Sequence, residues 1–139
     1  MTVPMEYRQA SRDFDAFLIE ARDGAMLQTT NQTYTMIDAV FTTFRSRLSI
    51  RDALAFADVL PPVLRALFVS NWDVDQPLRP FEDRATLTRE VKAFRGDHNV
   101  SPDDSIAVVA SVLRRHVGEV AFDRALAKLP AEAATFWRT

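Results

Sequence analysis

The sequence predicts an all-α protein in which two pseudo-duplicated helical units, about four helices each, pack in tandem into one helical-bundle domain. Apolar residues recur every three or four positions through most of the chain, which is the pattern of amphipathic helices. The three glycines stand alone between these periodic segments, where helices end. A Leu-Pro corner occurs twice, at Leu60-Pro61 and at Leu129-Pro130. Proline lacks an N–H and fixes φ, so it ends one helix and fits the first turn of the next.

The composition is that of an ordinary globular domain and excludes several classes of site. A chain of 139 residues with 47% hydrophobic and 26% charged residues suits one compact domain. The absence of cysteine excludes disulfides and thiolate metal sites. Residues 1–70 carry 7 Lys+Arg and 8 Asp+Glu, and residues 71–139 carry 10 and 11, so each half nets −1. This balance gives no bulk attraction to nucleic acid or to an anionic membrane.

The N-terminal segment and the short apolar runs predict a cytoplasmic protein that does not bind a membrane. The first 14 residues lack the basic region and the apolar run of a signal peptide. Arg, Asp or Pro interrupts every apolar run well before the roughly 18 residues that a membrane span requires.

The first unit is predicted over about residues 11–70. Its apolar spacing indicates four helices: residues 13–23, about 33–48, from 49 to the first proline corner, and from there to about 69. Ser49 and Asp52 form an acidic variant of the capping box, which starts the third helix. That helix is expected to bury Ile50, Ala53, Leu54 and Ala57.

A linker of about residues 71–82 and a second unit of about residues 83–139 follow. Two prolines and no apolar period mark the linker. In the second unit one helix ends at Gly96, and the next is expected to begin with Ser101 as its N-cap and Pro102 at its first position. Gly118 ends that helix, and a final short helix follows the second proline corner.

The two units correspond when the chain is displaced by 69 residues. This displacement aligns Ile37 with Ile106, Arg45 with Arg114 and Pro61 with Pro130, within helices of the same order. Identities are few, and the alternative is that two amphipathic helices align by chance. Each unit is too small to be stable alone without a disulfide or metal, so we expect both to share one core.

Three features carry a resemblance to a known family. They are the aromatic first helix with Phe14 and Phe17, the second helix ending in Phe44-Arg45-Ser46-Arg47-Leu48, and the corner from Leu60 to Phe68 that closes on Trp72. Together with the second Leu-Pro corner they resemble a bacterial family known as domain of unknown function 2267, over Phe14 to Trp137. The resemblance implies an all-helical tandem repeat. It implies no activity, so it transfers no functional residue.

The sequence contains no recognisable catalytic or metal-binding constellation, and we therefore expect a protein that is not an enzyme, with no cofactor and no metal. Isolated glycines exclude a phosphate loop. The two histidines, His98 and His116, lack the Glu-x-x-His spacing of a di-iron bundle. There is no Cys nucleophile and no G-x-S-x-G turn, and first-turn helix positions explain the pair Asp103-Asp104.

Two groups of residues are candidate interaction surfaces. The apolar group follows the first proline corner and comprises Val63, Leu67, Phe68 and Trp72. It is either core that packs on the other unit or a surface for a protein partner. The basic group lies at equivalent helix junctions of the two units and comprises Arg45, Arg47, Arg51, Arg114 and Arg115. It either complements two helix C-termini or forms one surface for phosphate or an acidic partner.

These residues favour a non-enzymatic protein-interaction or adapter module that binds another protein or a second copy of itself. The alternative is binding of nucleic acid or a phosphate ligand through the paired arginines, which predicts a steep dependence on salt. A third hypothesis is a small apolar ligand between the two units.

Overall fold

The computed structural model describes residues 2–139, and in these residues the protein is all-helical with no β-strand. A 3-10 turn at Gly96–His98 separates α6 from α7. The α-helices are α1 (Met5–Arg8), α2 (Ala10–Gly24), α3 (Thr30–Arg45), α4 (Ile50–Ala57), α5 (Pro62–Val69), α6 (Arg84–Ala93), α7 (Ser105–Val117), α8 (Glu119–Leu126) and α9 (Ala131–Phe136). This confirms the predicted all-α class and the single helical domain.

Helix α3 lies at the centre of the fold and contacts α2, α5, α6 and α7. Its apolar positions Ile37, Val40, Phe41 and Phe44 are buried, as their spacing predicts. The helix begins earlier than the apolar pattern indicates, because Thr29 forms a capping box with Gln32. A polar segment that the sequence assigns to a loop therefore supplies the first turn of the central helix.

An aromatic cluster around Trp137 joins the two predicted units. The Trp137 ring centroid lies 5.1 Å from Phe44, 5.7 Å from Phe56 and 5.8 Å from Phe122. Phe44 and Phe56 come from α3 and α4, whereas Phe122 and Trp137 come from the C-terminal third of the chain. Burial of such rings is among the largest single contributions to a core. The C-terminal residues are thus part of the same core as α3 and α4.

Two pairs of helices in the two units begin at positions related by the displacement found in the sequence. Helix α4 begins at Ile50 and α8 at Glu119, 69 residues later, and both contain eight residues. Helices α5 and α9 begin at Pro62 and Ala131, again 69 residues apart. These bounds agree with a duplicated plan; descent of the two units from one ancestral unit stays a prediction.

Two of the predicted helix details are wrong. Helix α7 begins at Ser105 rather than after Ser101, whose hydroxyl instead donates a hydrogen bond to the side-chain oxygen of Asn99. Helix α4 does not bury Ile50 and Leu54, which are 45% and 49% exposed. It buries Phe56 instead, because that ring reaches Phe44 at 4.9 Å and fills more of the core than either aliphatic residue.

The segment between α5 and α6 is not helical, as predicted, but it is attached to the rest of the fold. The Arg79 N–H donates to the Ser46 carbonyl oxygen at 3.0 Å, and the Phe81 ring lies 6.1 Å from Phe44. Asn71 adopts the left-handed conformation with φ 53°, where the chain leaves α5. The segment therefore lies against the end of α3. Within residues 2–139, no helix has both the length and the apolar character needed to cross a membrane.

Candidate functional site

Arg47 is a structural residue. Its side chain is fully buried, and its guanidinium binds the Glu90 carboxylate through both oxygens at 2.5 and 3.0 Å. Its Nε donates to the Pro80 carbonyl oxygen at 3.1 Å. These bonds join the end of α3 to α6 and to the segment before it. A bidentate pair of this kind satisfies the charge of a buried guanidinium.

Arg114 is also neutralised within the protein. Its guanidinium contacts Glu119 at 2.9 Å and Asp123 at 2.7 Å, both on α8, and it lies 4.9 Å from the centre of the Phe122 ring. Its Nε donates to the carbonyl oxygen of Trp137 at 3.2 Å. Arg114 therefore supports the last turn of α9, whose final carbonyl groups have no partner within the helix.

Arg45 makes the equivalent backbone contact but has no carboxylate partner. Its Nη1 donates to the carbonyl oxygens of Phe68 at 2.8 Å and Ser70 at 3.1 Å, which supports the end of α5. Its guanidinium lies 5.3 Å from the centre of the Trp72 ring. Among residues 2–139, no carboxylate oxygen lies within 4.0 Å of it, and its Nε and Nη2 make no hydrogen bond. Burial lowers the pKa of Arg45.

The remaining two predicted arginines are exposed. Arg115 donates to the Ser111 hydroxyl at 2.9 Å and lies 3.9 Å from Glu20, and Arg51 projects from α4. The five arginines thus do not form one exposed basic surface. Of the two alternatives, a single basic surface is therefore wrong, because Arg45 and Arg47 bind backbone carbonyl oxygens inside the fold and Arg114 is held by two carboxylates.

The predicted apolar group is divided between the core and two separate clefts. Leu67 and Phe68 are buried, so of the two alternatives the core holds for these residues and a partner surface does not: α5 packs against α3. Val63 is half-buried and lines a small crevice beside Phe14 and His116. Trp72 is half-buried in a different cleft, next to Arg45.

The cleft beside Trp72 is bordered by an apolar surface that sequence reasoning missed. We define the Trp72 surface as Ile50, Leu54, Trp72, Val74 and Leu78. Val74 and Leu78 are 48% and 60% exposed, and Leu54 lies one helical turn after Ile50 on the same face of α4. Val74 and Leu78 occur singly in a polar, proline-containing segment, so no apolar period marks them in the sequence.

The floor of this cleft is polar and small. Thr42, Arg45 and Ser46 line it from α3 and the following turn, and its volume is about 60 Å³. Drug-sized ligands and cofactors occupy pockets of roughly 300–1,000 Å³, so the cleft accommodates one side-chain group rather than a cofactor. Asp73 also lines the cleft, but it is exposed and its carboxylate accepts a hydrogen bond from the Asp75 N–H at 3.1 Å.

One turn below Thr42 lies a half-buried acid, Asp38. The Thr42 hydroxyl donates to its carboxylate at 3.4 Å. Burial raises the pKa of Asp38, and the Thr42 hydrogen bond and the charges of Arg45 and Arg95 only partly offset this effect. Asp38 does not line the cleft, but its charge acts on Arg45, which does.

The groups that line the cleft can donate hydrogen bonds and bury apolar surface. Among the described residues no group of three or more His, Asp or Glu side chains is placed to hold a metal ion. His116 pairs with Glu20 and packs edge-on against Phe17 at 5.2 Å, so its ring joins α7 to α2. What the cleft offers is a guanidinium with two free donors, an indole face and a rim of exposed aliphatic side chains.

The comparisons with known proteins assign the family and no activity. No curated protein matches the chain. The family model described as "Uncharacterized conserved protein (DUF2267)" matches residues 14–136, a span that contains α3, α4, the Trp72 surface and the second unit as far as the end of α9. The chain therefore belongs to the DUF2267 family.

Proposed function

We propose that the protein is a non-enzymatic interaction module and that the Trp72 surface binds a protein partner. The observation that carries this proposal is the concentration of exposed aliphatic side chains from α4 and from the segment after α5 around one half-buried indole. Clustered apolar residues around a tryptophan and an arginine are typical of the centre of a protein interface. Aliphatic side chains exposed singly would not carry this inference.

The local conformation of the segment also supports binding at this surface. Asn71, with its positive φ, redirects the chain as it leaves α5, and Trp72 then lies against Arg45. Asn adopts this left-handed conformation at little cost, as it often does just after a helix end, so the direction of the chain is set without strain. Together these contacts hold the indole in place before any partner arrives, which reduces the entropy lost on binding.

We do not propose nucleic-acid or phosphate binding through the arginines. Of the five, Arg47 and Arg114 are already bound to carboxylates, so a phosphate would have to displace these internal partners. Nor do we propose an apolar ligand between the units, since Trp137 and the surrounding rings fill the shared core, and the open groove between α4 and α8 carries the charged side chains of Asp58, Arg124 and Lys128.

The proposal predicts that polar substitutions on the Trp72 surface release a partner without unfolding the protein. The test compares Val74→Ser combined with Leu78→Ser against Val100→Ser combined with Val120→Ser, a matched pair of exposed valines elsewhere. Each full-length variant is produced at native level in the cells that make the protein, captured, and analysed by quantitative mass spectrometry. Sedimentation velocity reports binding to a second copy.

We expect the first variant to lose the bound protein at least tenfold, at an unchanged melting temperature, and the control to retain it. Exposed substitutions of this kind change the free energy of unfolding by less than about 0.5 kcal/mol. Equal recovery of the same partners by both variants, with no change in self-association, would contradict the proposed function.

A further inference from the structure

The equivalent arginines of the two units have different hydrogen-bond and charge partners. Arg45 and Arg114 stand 69 residues apart, and each donates to a carbonyl oxygen 23 residues further along the chain, that of Phe68 or Trp137. The Arg114 guanidinium also donates hydrogen bonds to two carboxylates on α8, five and nine residues after it. At the same two spacings after Arg45, helix α4 carries Ile50 and Leu54.

The first unit thus contains a buried guanidinium that no carboxylate of residues 2–139 contacts within 4.0 Å, and the charge of Asp38 acts on it only from a greater distance. Arg45 is 7% exposed, whereas the carboxylate-bound Arg47 beside it is 4% exposed, so the two differ in partners rather than in burial. A buried charge without an opposite charge is costly, because the protein replaces only part of its hydration. The Trp72 ring and the two carbonyl oxygens replace part of the hydration of Arg45. Its Nε and Nη2 atoms remain free to donate hydrogen bonds to a ligand.

We propose that the cleft beside Trp72 receives a side-chain carboxylate, Asp or Glu, from an apolar segment of the partner protein. This inference rests on the proposed function and names the chemistry of the partner. The carboxylate binds Arg45 as Glu119 and Asp123 bind Arg114, and the apolar neighbours of that acid pack on Ile50, Val74 and Leu78. A cleft of about 60 Å³ accommodates a carboxylate group, and the partly dehydrated surroundings strengthen the ion pair.

Asp73 does not fill this role. Its carboxylate lies further than 4.0 Å from the guanidinium and is exposed, so water screens its repulsion of an incoming acid.

The direct test observes the Arg45 Nε–H by 15N NMR in the full-length protein, with the resonance assigned by its loss in Arg45→Lys. Sodium isovalerate, a small apolar carboxylate, is titrated at constant ionic strength, and isovaleramide is its neutral control. We expect a saturable shift with isovalerate, with a Kd on the order of 1–10 mM for so small a ligand, and none with the amide. The absence of a carboxylate-specific shift would overturn the inference.

A second test supplies the carboxylate from the protein itself. Ile50→Glu places an acid at the position that Glu119 occupies in the second unit, and Ile50→Gln is the neutral control at the same exposed site. We expect Ile50→Glu to melt at least about 2 °C above Ile50→Gln, to lose the isovalerate response more than tenfold and to release the partner. Equal melting temperatures and equal isovalerate responses would contradict the role of Arg45.

The outcomes separate this inference from the proposed function. An isovalerate response, together with no protein bound at the Trp72 surface, would support a carboxylate site at Arg45. The same result would contradict a protein as the source of that carboxylate. Self-association that Ile50→Glu abolishes would overturn the assignment to a different protein and make a second copy the occupant. A partner that binds equally to Ile50→Glu and Ile50→Gln would overturn the carboxylate while the interaction surface stands.

Discussion

Arginine side chains that look alike in the sequence have different surroundings in the fold. Arg47 and Arg51 are four residues apart, yet the first is buried against Glu90 and the second projects into solvent. The charge pattern predicted both as one patch because a one-dimensional sequence does not show which carbonyl oxygens and carboxylates the chain brings to each guanidinium. The contribution of an arginine to stability or to binding therefore depends on the oxygen atoms around its guanidinium.

Replacement of these two arginines should therefore have unequal effects. Arg47→Ala should lower the free energy of unfolding by about 3 kcal/mol, since it removes a buried ion pair and three hydrogen bonds to oxygen acceptors of the backbone and Ser46. Arg79, 2.6 Å from Glu90, continues to neutralise that acid, which keeps the loss at the lower end of the range for buried pairs. Arg51→Ala should change the free energy of unfolding by less than about 0.5 kcal/mol. Urea unfolding measures both, and similar losses would contradict the structural role of Arg47.

Asp38 should give the protein a component of stability that decreases with rising pH. Because burial raises its folded-state pKa above the usual 3.8, the folded state holds a proton that the unfolded chain releases. Stability from this group is complete below the unfolded pKa and is lost as the pH rises through the folded pKa. Asp38→Asn keeps an acceptor for Thr42 and removes the titration.

The check compares urea unfolding of Asp38→Asn with that of the wild type at about pH 4 and pH 7. The Asp38→Asn variant should gain stability relative to the wild type on going from about pH 4 to pH 7. A relative gain of the Asp38 variant toward the lower pH would show that attraction to the arginines outweighs burial.

At the scale of helices, α4 shows why a periodic pattern can identify an element and still misassign its face. Ile50, Ala53, Leu54 and Ala57 form a consistent stripe, but Phe56 lies one position away and contacts Phe44. The larger ring is buried and the aliphatic pair is exposed, because packing volume in the core outweighs the regularity of the pattern. This rotation of α4 exposes two of the residues that form the Trp72 surface.

Helix capping is the local rule that the sequence reveals most directly, and Ser49 tests it. Its hydroxyl accepts a hydrogen bond from the Asp52 N–H at 3.1 Å, as the spacing predicts. Ser49→Ala should lower the free energy of unfolding by about 1 kcal/mol. Ser49→Asp, which keeps an acceptor and adds a favourable charge at the helix start, should restore it. A loss of stability in both variants, measured by thermal unfolding, would indicate that the hydroxyl does not act as the cap.

For the whole molecule, the helical class, the proline corners and the correspondence of α4 with α8 could be predicted from the sequence. These features depend on local periodicity and on turn residues. The cleft beside Trp72 could not be predicted, because it forms where the end of α3, the outer face of α4 and a non-periodic segment meet. No local pattern in the sequence encodes a meeting of three separate segments.

The shared core predicts that neither unit folds alone. Fragments 1–82 and 83–139 should lack a cooperative urea transition by circular dichroism, because each loses the contacts between Trp137 and the rings of Phe44 and Phe56. The full chain should unfold in a single transition. A cooperative transition in either isolated fragment would show that the units are independent domains.

Site-specific photo-crosslinking tests most directly whether the Trp72 surface is where this protein binds a partner. A benzophenone amino acid replaces Leu78, on this surface, or Val120, which is 71% exposed on α8. After irradiation of cells that make each full-length protein at native level, we expect one discrete adduct from position 78 and none from position 120. The same adducts from both positions, or an adduct from position 120 alone, would contradict the assignment of the Trp72 surface as the binding site.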